Sequence, residues 1–141
     1  MAASFSSSRR VEFRDTDAAG IVHFSTFYDW MEEIEHEFLR HCGESVMQAD
    51  GGGFVSWPRV HTSCDYQSAV KFEDLVDVEL SVVKLGTSSV TYQFAFRCQG
   101  RHVARGKVVA VCCRIESNQP PRTIPIPDGF RQKLSQVMPC N

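Results

Sequence analysis

Between residues 23 and 42 the apolar side chains Phe24, Phe27, Tyr28, Met31, Ile34 and Phe38 recur every three or four positions. That spacing predicts one long amphipathic helix, with Trp30 adding bulk beside the stripe and Glu32, Glu33 and His36 lying off it. Gly43 supplies a C-terminal stop, and Arg40 and His41 occupy the last turn, where cations meet the negative end of the helix dipole. At about 1.5 Å per residue the helix would run roughly 28 Å, the width of a small domain. Almost everything after it reads as strand: residues 59–69, 75–84, 90–98 and 103–115, with a short strand over 9–14 before the helix. Val90, Tyr92, Phe94, Phe96 and Cys98 form a clean period-two face, and 103–115 is partly apolar on both faces near its end, as a central strand is. Short turns at Leu85-Gly86-Thr87 and Gln99-Gly100 force antiparallel neighbours. One long helix and about five antiparallel strands have to share a core, so the expected architecture is α+β, a sheet wrapped around one central helix. A cone-shaped α+β fold of similar length is the weaker alternative, because it needs several helices before its sheet.

Residues 1–7 read as a flexible N-terminus and 8–141 as a single domain, which suits a chain of 141 residues. Residues 44–58 read as a mobile loop around Gly51-Gly52-Gly53, which lacks the preceding strand and the following Lys-Ser/Thr of a phosphate loop. Residues 128–137 read as a short terminal helix capped by Asp128. With 43% apolar and 23% charged residues, the composition excludes disorder. Fifteen basic against 17 acidic residues give a net charge of −2, too little positive field for charge-driven nucleic-acid binding. No apolar run approaches the roughly 20 residues of a membrane span, and residues 1–10 hold no apolar leader core, so the expected address is the cytoplasm. Six cysteines, two of them adjacent at Cys112 and Cys113, show neither Cys-x-x-Cys nor zinc-site spacing and read as reduced thiols with no metal.

The sharpest chemical feature is Asp17-Ala18-Ala19-Gly20-Ile21-Val22-His23-Phe24, an acid between a strand end and the first turn of the core helix. Helix starts leave N–H groups unpaired and carry partial positive charge, so they polarise a carbonyl. A carboxylate just upstream then serves as nucleophile or general base, the pairing that acyl transfer needs. Spacing alone equally admits Asp15 or Asp17 as a plain helix cap.

The run from Val11 through Tyr28 resembles the signature of the 4-hydroxybenzoyl-CoA thioesterase family of hotdog-fold proteins. Its Asp-Thr-Asp-x-x-Gly-x-Val core is especially similar to the Tol-Pal-associated acyl-CoA thioesterase branch. A looser likeness covers nearly the whole chain, although Ala69 stands where the family usually has proline. The resemblance implies a hotdog fold and an acyl-CoA thioesterase that needs no cofactor beyond the coenzyme A of its substrate. It also implies a homodimer or a dimer of dimers, with sites at the subunit interface. By the same likeness Asp17 falls on the catalytic carboxylate, Gly20 on the turn glycine, and Phe24 on the position whose backbone N–H points at the thioester carbonyl. His23 departs from the usual aromatic residue, leaving open whether it lines the acyl pocket, tunes Asp17 or merely replaces a ring.

Further candidates are Ser63 as a hydrogen-bonding group, Phe54, Trp57 and Tyr66 as acyl-pocket walls, and Lys71, Arg101, Arg105 and Lys107 for the phosphates of coenzyme A. Glu33 and His36 have a metal-ligand spacing but no second pair, and Glu32, Glu35 and Glu37 read as surface charges. No Gly-x-Ser-x-Gly elbow is present. The rival readings are a hotdog hydratase or dehydratase using His23 with Asp17, and a non-catalytic module that binds acyl thioesters or a protein.

Overall fold

A computed structural model describes residues 4–139. The long helix α1 spans Thr26–His41 and packs on an antiparallel sheet of five strands in the order β1-β5-β6-β7-β4. Those strands are β1 (Phe5–Arg10), β4 (Arg59–Tyr66), β5 (Leu75–Leu85), β6 (Ser89–Cys98) and β7 (Arg101–Val111). The period-two face of β6 lies entirely in the core with Val76, Val78, Leu80 and Val82 of β5. Phe27 meets Phe96 edge-on at 5.2 Å and Phe38 meets Tyr92 at 6.2 Å, so α1 runs antiparallel to β6. Small residues Ala104, Gly106, Val108 and Ala110 of β7 make room for the helix, and Gly106 lies directly under Met31.

The helix begins three residues later than its periodicity predicts. Phe24 therefore sits outside it and is 62% exposed, while Trp30 and Leu39 join the buried stripe. Its end is as expected: Gly43 has φ +77°, Gly43 N–H donates to Arg40 O and Glu44 N–H to Leu39 O, a Schellman closure. The first strand starts at Phe5, earlier than expected, because Phe5 to Arg10 pair in register with Leu80 to Leu75 of β5. Of the expected flexible N-terminus, residues 1–3 lie outside the described residues. Phe13–Asp15 forms a single 3-10 turn instead of extending that strand.

Residues 44–58 are not a mobile loop. They hold the hairpin β2 (Met47–Asp50) and β3 (Gly53–Ser56), which joins β8 (Cys113–Ile115) and β9 (Arg122–Thr123) in a second sheet. Gly51 and Gly52 at φ +52° and +86° make the two-residue primed turn that favours glycine, and Arg114 locks it by donating to Asp50 Oδ2 at 2.8 Å and Asp50 O at 2.9 Å. The expected strand 103–115 breaks at Cys112, where the chain crosses from one sheet to the other. The terminal helix α2 (Asp128–Ser135) has Pro127 at its N-cap position with no side-chain cap bond, and Asp128, expected as the cap, is already the first helical residue.

Glu35 is the main departure from the sequence reading. It is 1% exposed, in the core face of α1, four residues from both Met31 and Leu39. The Arg59 guanidinium donates to Glu35 Oε1 and, at 2.7 Å, to the Trp57 carbonyl, while Glu35 Oε2 has no partner among the described residues. Burial pushes the Glu35 carboxyl above its usual range, and Arg59 opposes that shift without cancelling it. Glu33 pairs with Arg9 at 3.0 Å, and His36 Nε2 lies 3.4 Å from Arg59.

This packing makes three stability outcomes testable. Gly106→Ala drives a methyl into Met31 and should cost about 1–3 kcal/mol in urea unfolding. Glu35→Ala strands Arg59 and should cost about 2–4 kcal/mol. The native state holds the Glu35 proton to a higher pH than the unfolded chain does, so this residue's contribution is full below pH 4.5 and declines as pH rises through the raised native value. The stability advantage of wild type over Glu35→Gln should therefore be larger at pH 4 than at pH 7.5; an advantage that grows with pH would refute the assignment.

Candidate active site

The chain leaves β1 and crosses the end of the sheet through residues 11–25 before entering α1. Local bonds fix this crossing. Asp15 caps the 3-10 turn, accepting from Glu12 N–H at 2.8 Å, and so does not cap α1. Thr16 bridges to Val22. Asp17 N–H donates to Ile21 O at 2.8 Å and Gly20 N–H to Asp17 O at 2.9 Å. With Gly20 at φ +80°, this is a three-residue hairpin whose last residue is left-handed, which explains the glycine.

Within that hairpin Asp17 Oδ1 accepts from Ala19 N–H at 2.8 Å. Its second oxygen has no partner among the described residues, and no cation pairs with it. The capping alternative for Asp17 is thereby removed, because its only side-chain bond lies inside its own turn. Asp17 lines a cleft of about 360 Å³ with Phe24, Phe27 and Tyr66, closed on one side by Ser68 to Val70. Val22 N–H donates to Val70 O at 2.8 Å and Ile21 bridges to Lys71, which ties the Asp17 hairpin to that wall.

The approach to α1 and its first turn supply donors. Thr26 N–H is taken by His23 O, and Tyr28 and Asp29 N–H by Ser25 O, while the Phe24 and Phe27 N–H groups have no partner among the described residues. Both residues line the cleft. Tyr66 OH donates to Phe24 O at 2.9 Å and its ring meets Phe27 edge-on at 5.4 Å, so β4 braces the helix start. The site therefore joins a carboxylate with a free oxygen to orphan backbone donors, the two components of acyl transfer.

His23 does not engage Asp17. Its Nδ1 lies 2.8 Å from Ser25 Oγ and 3.2 Å from Ser25 N, and its ring stacks on Phe24 at 4.6 Å. Lys71 is exposed beside the cleft, and Arg101 donates to the carbonyl of Ala69 in its wall at 2.7 Å. Ser63, Arg105 and Lys107 lie elsewhere: Ser63 pairs in register with Lys107 and Asp65 with Arg105, on the sheet face opposite Cys64, which packs on the core. Phe54 sits on the β2–β3 hairpin, paired with Ile115. Trp57 packs on Phe130 at 5.4 Å and lines a separate cleft of about 280 Å³. The 67–70 wall and Phe27 were missing from the sequence reading of the site; only the contact of this wall with Val22 identifies it.

The chain matches the Thioesterase-like superfamily over residues 11–134. It is 32% identical over 132 residues to a 1,4-dihydroxy-2-naphthoyl-CoA hydrolase of Synechococcus sp. (strain CC9605), covering 90% of this chain and 87% of that protein. Among solved structures it superposes on a gentisyl-coenzyme A thioesterase with TM-score 0.77 and 28% identity, covering 92% of this chain and 99% of that one. The fold is also that of a 1,4-dihydroxy-2-naphthoyl-CoA thioesterase from Synechocystis, TM-score 0.80 at 21% identity, over 93% and 95% of the two chains. A matched span of nearly the whole domain, on a sheet wrapped around one long helix, makes this chain a member of the Thioesterase-like superfamily of hotdog-fold thioester hydrolases.

Proposed function

We propose that this chain hydrolyses an acyl- or aroyl-CoA thioester to the free acid and coenzyme A, with Asp17 as the reacting carboxylate. One observation carries the reading: Asp17, whose carboxylate keeps one oxygen uncommitted among the described residues, and Phe24, whose N–H has no partner there, line the same cleft. In this mechanism the thioester carbonyl accepts from Phe24 N–H, which holds the charge developing on that oxygen. Asp17 then attacks the carbonyl carbon, the C–S bond breaks to release the thiolate, and water opens the mixed anhydride. Alternatively Asp17 takes a proton from a water that attacks directly. Gly20 shapes the turn that presents Asp17. The chemistry uses only groups of the chain and water.

Within the superfamily, residues 15–24 speak for the 4-hydroxybenzoyl-CoA thioesterase family and its Tol-Pal-associated branch, while the relatives named for dihydroxynaphthoyl and gentisyl thioesters favour a hydroxylated aromatic acyl group. Lys71 and Arg101 beside the cleft suit the phosphates of coenzyme A better than Arg105 and Lys107, which sit on the other sheet face with Ser63, the expected hydrogen-bonding group. A homodimer or a dimer of dimers belongs to the same proposal. It is supported by β4, a sheet edge, with Val60 on it 63% exposed and Phe24 and Tyr66 exposed nearby. A cytoplasmic address agrees with five free cysteines among the described residues. The hydratase reading loses support because Ser25, not Asp17, engages His23.

Asp17→Asn should lower kcat by about 10²–10⁴-fold with little change in thermal midpoint or in substrate binding. An unchanged kcat sinks the mechanism. Single turnover in ¹⁸O-water tests the first route: label in the Asp17 carboxylate means attack by Asp17 and opening of the anhydride at the Asp17 carbonyl, whereas label only in the product means that water adds at the acyl carbon. A thiol-release panel of alkyl- and aroyl-CoA substrates should give its highest kcat/KM for a hydroxylated aroyl group. Thermal stabilisation by these thioesters with no thiol release would favour a binding module.

A further inference from the structure

We infer that His23 is a positioning residue that presents the Phe24 N–H to the cleft by closing a side-chain turn around it. The inference rests on the thioesterase reading above. A backbone N–H only donates, so the bond from Ser25 N–H at 3.2 Å requires Nδ1 to be the unprotonated ring nitrogen, with the ring hydrogen on Nε2. Ser25 Oγ, 2.8 Å away, then donates to the same atom. A side-chain acceptor bonded to the N–H two residues on is the pattern of an Asx turn, with imidazole Nδ1 in the place of an asparagine Oδ1.

Phe24 is the residue enclosed by that ring. On its N-terminal side His23 N–H donates to Asp15 O at 2.8 Å and His23 O accepts from Thr26 N–H at 2.9 Å. On its C-terminal side Ser25 N–H is held by Nδ1, and the Phe24 carbonyl accepts from Tyr66 OH at 2.9 Å. The polar backbone groups flanking the Phe24 N–H are committed, while that N–H has no partner among the described residues. The His23 ring also covers Phe24 at 4.6 Å, fixing its direction further. A phenylalanine at 23 keeps such a ring contact but has no acceptor for Ser25. Loss of the clamp frees Ser25 N–H and lets the Phe24 peptide rotate, and an oxyanion donor that must reorganise during reaction is a weaker catalyst.

The test compares His23→Phe, His23→Gln and His23→Asn by steady-state thiol release and by amide hydrogen exchange. His23→Phe should lower kcat by roughly 10- to 100-fold, about the value of one oxyanion donor or less, with KM within about twofold. His23→Gln, whose acceptor reaches one bond too far, should fall similarly and serves if the phenylalanine variant does not fold. His23→Asn restores an acceptor at the Nδ1 position and should recover most of the lost kcat. Ser25 N–H should exchange slowly in the wild type and in His23→Asn, and quickly in the other two. Wild-type kcat in His23→Phe, no recovery by His23→Asn, a rise in KM alone, or unchanged Ser25 exchange would each overturn the inference. Should the wild type hydrolyse no thioester, the enzymatic reading fails, and the exchange pattern still decides whether the clamp exists.

Discussion

Packing of α1 on the concave face of the five-stranded sheet is the contact on which the rest of the molecule depends. Among the described residues helix and sheet have no second apolar partner of comparable size, so each buries its apolar side on the other. Phe27, Trp30, Met31, Ile34 and Phe38 interlock with the aromatic face of β6, and the small residues of β7 let the helix sit close. Because the sheet curls around the helix, both helix ends emerge at sheet ends. The N-terminal end emerges beside the crossing segment that carries Asp17.

The candidate site is a by-product of this closure. A helix start leaves N–H groups without intrahelical partners, and here Phe27 in the first turn keeps one open, while Phe24, two residues before the helix, adds an open N–H from the crossing segment. The same segment turns on Gly20 so that Asp17 faces the cleft those donors border. Its rigidity is supplied by backbone bonds to Val70 and Lys71 on one side and by Tyr66 on the other.

Glu35 gives the core a polar point. Its burial against Arg59 ties the middle of α1 to the first residue of the edge strand β4 and to the Trp57 carbonyl. A further cleft of about 290 Å³, lined by Tyr28, Glu32, Glu35 and Arg59, opens at this place. The pair orients the edge strand at a cost in desolvation, which the raised Glu35 titration records.

The helix, its glycine stop and the strand faces were legible in the sequence because they are local: periods of 3.6 and 2 show which side chains must be buried whatever they are buried against. The Asp17 to Phe24 run was legible for the same reason, since acid, turn glycine and helix start are neighbours in the chain. Glu35 was within reach, as it lies at helical spacing inside the apolar stripe, but helix periodicity cannot say that an arginine 24 residues later will meet it. The glycine hairpin was missed because glycines permit both a floppy loop and a primed turn, and only pairing with β8 and the grip of Arg114 select the turn. The 67–70 wall likewise came from tertiary structure alone, whereas the His23 clamp joins residues two apart and takes only its backbone anchors, Asp15 and Tyr66, from farther along the chain. Which of several local options a polar group or a glycine adopts depends on partners far away in sequence, and folding brings those partners within bonding distance.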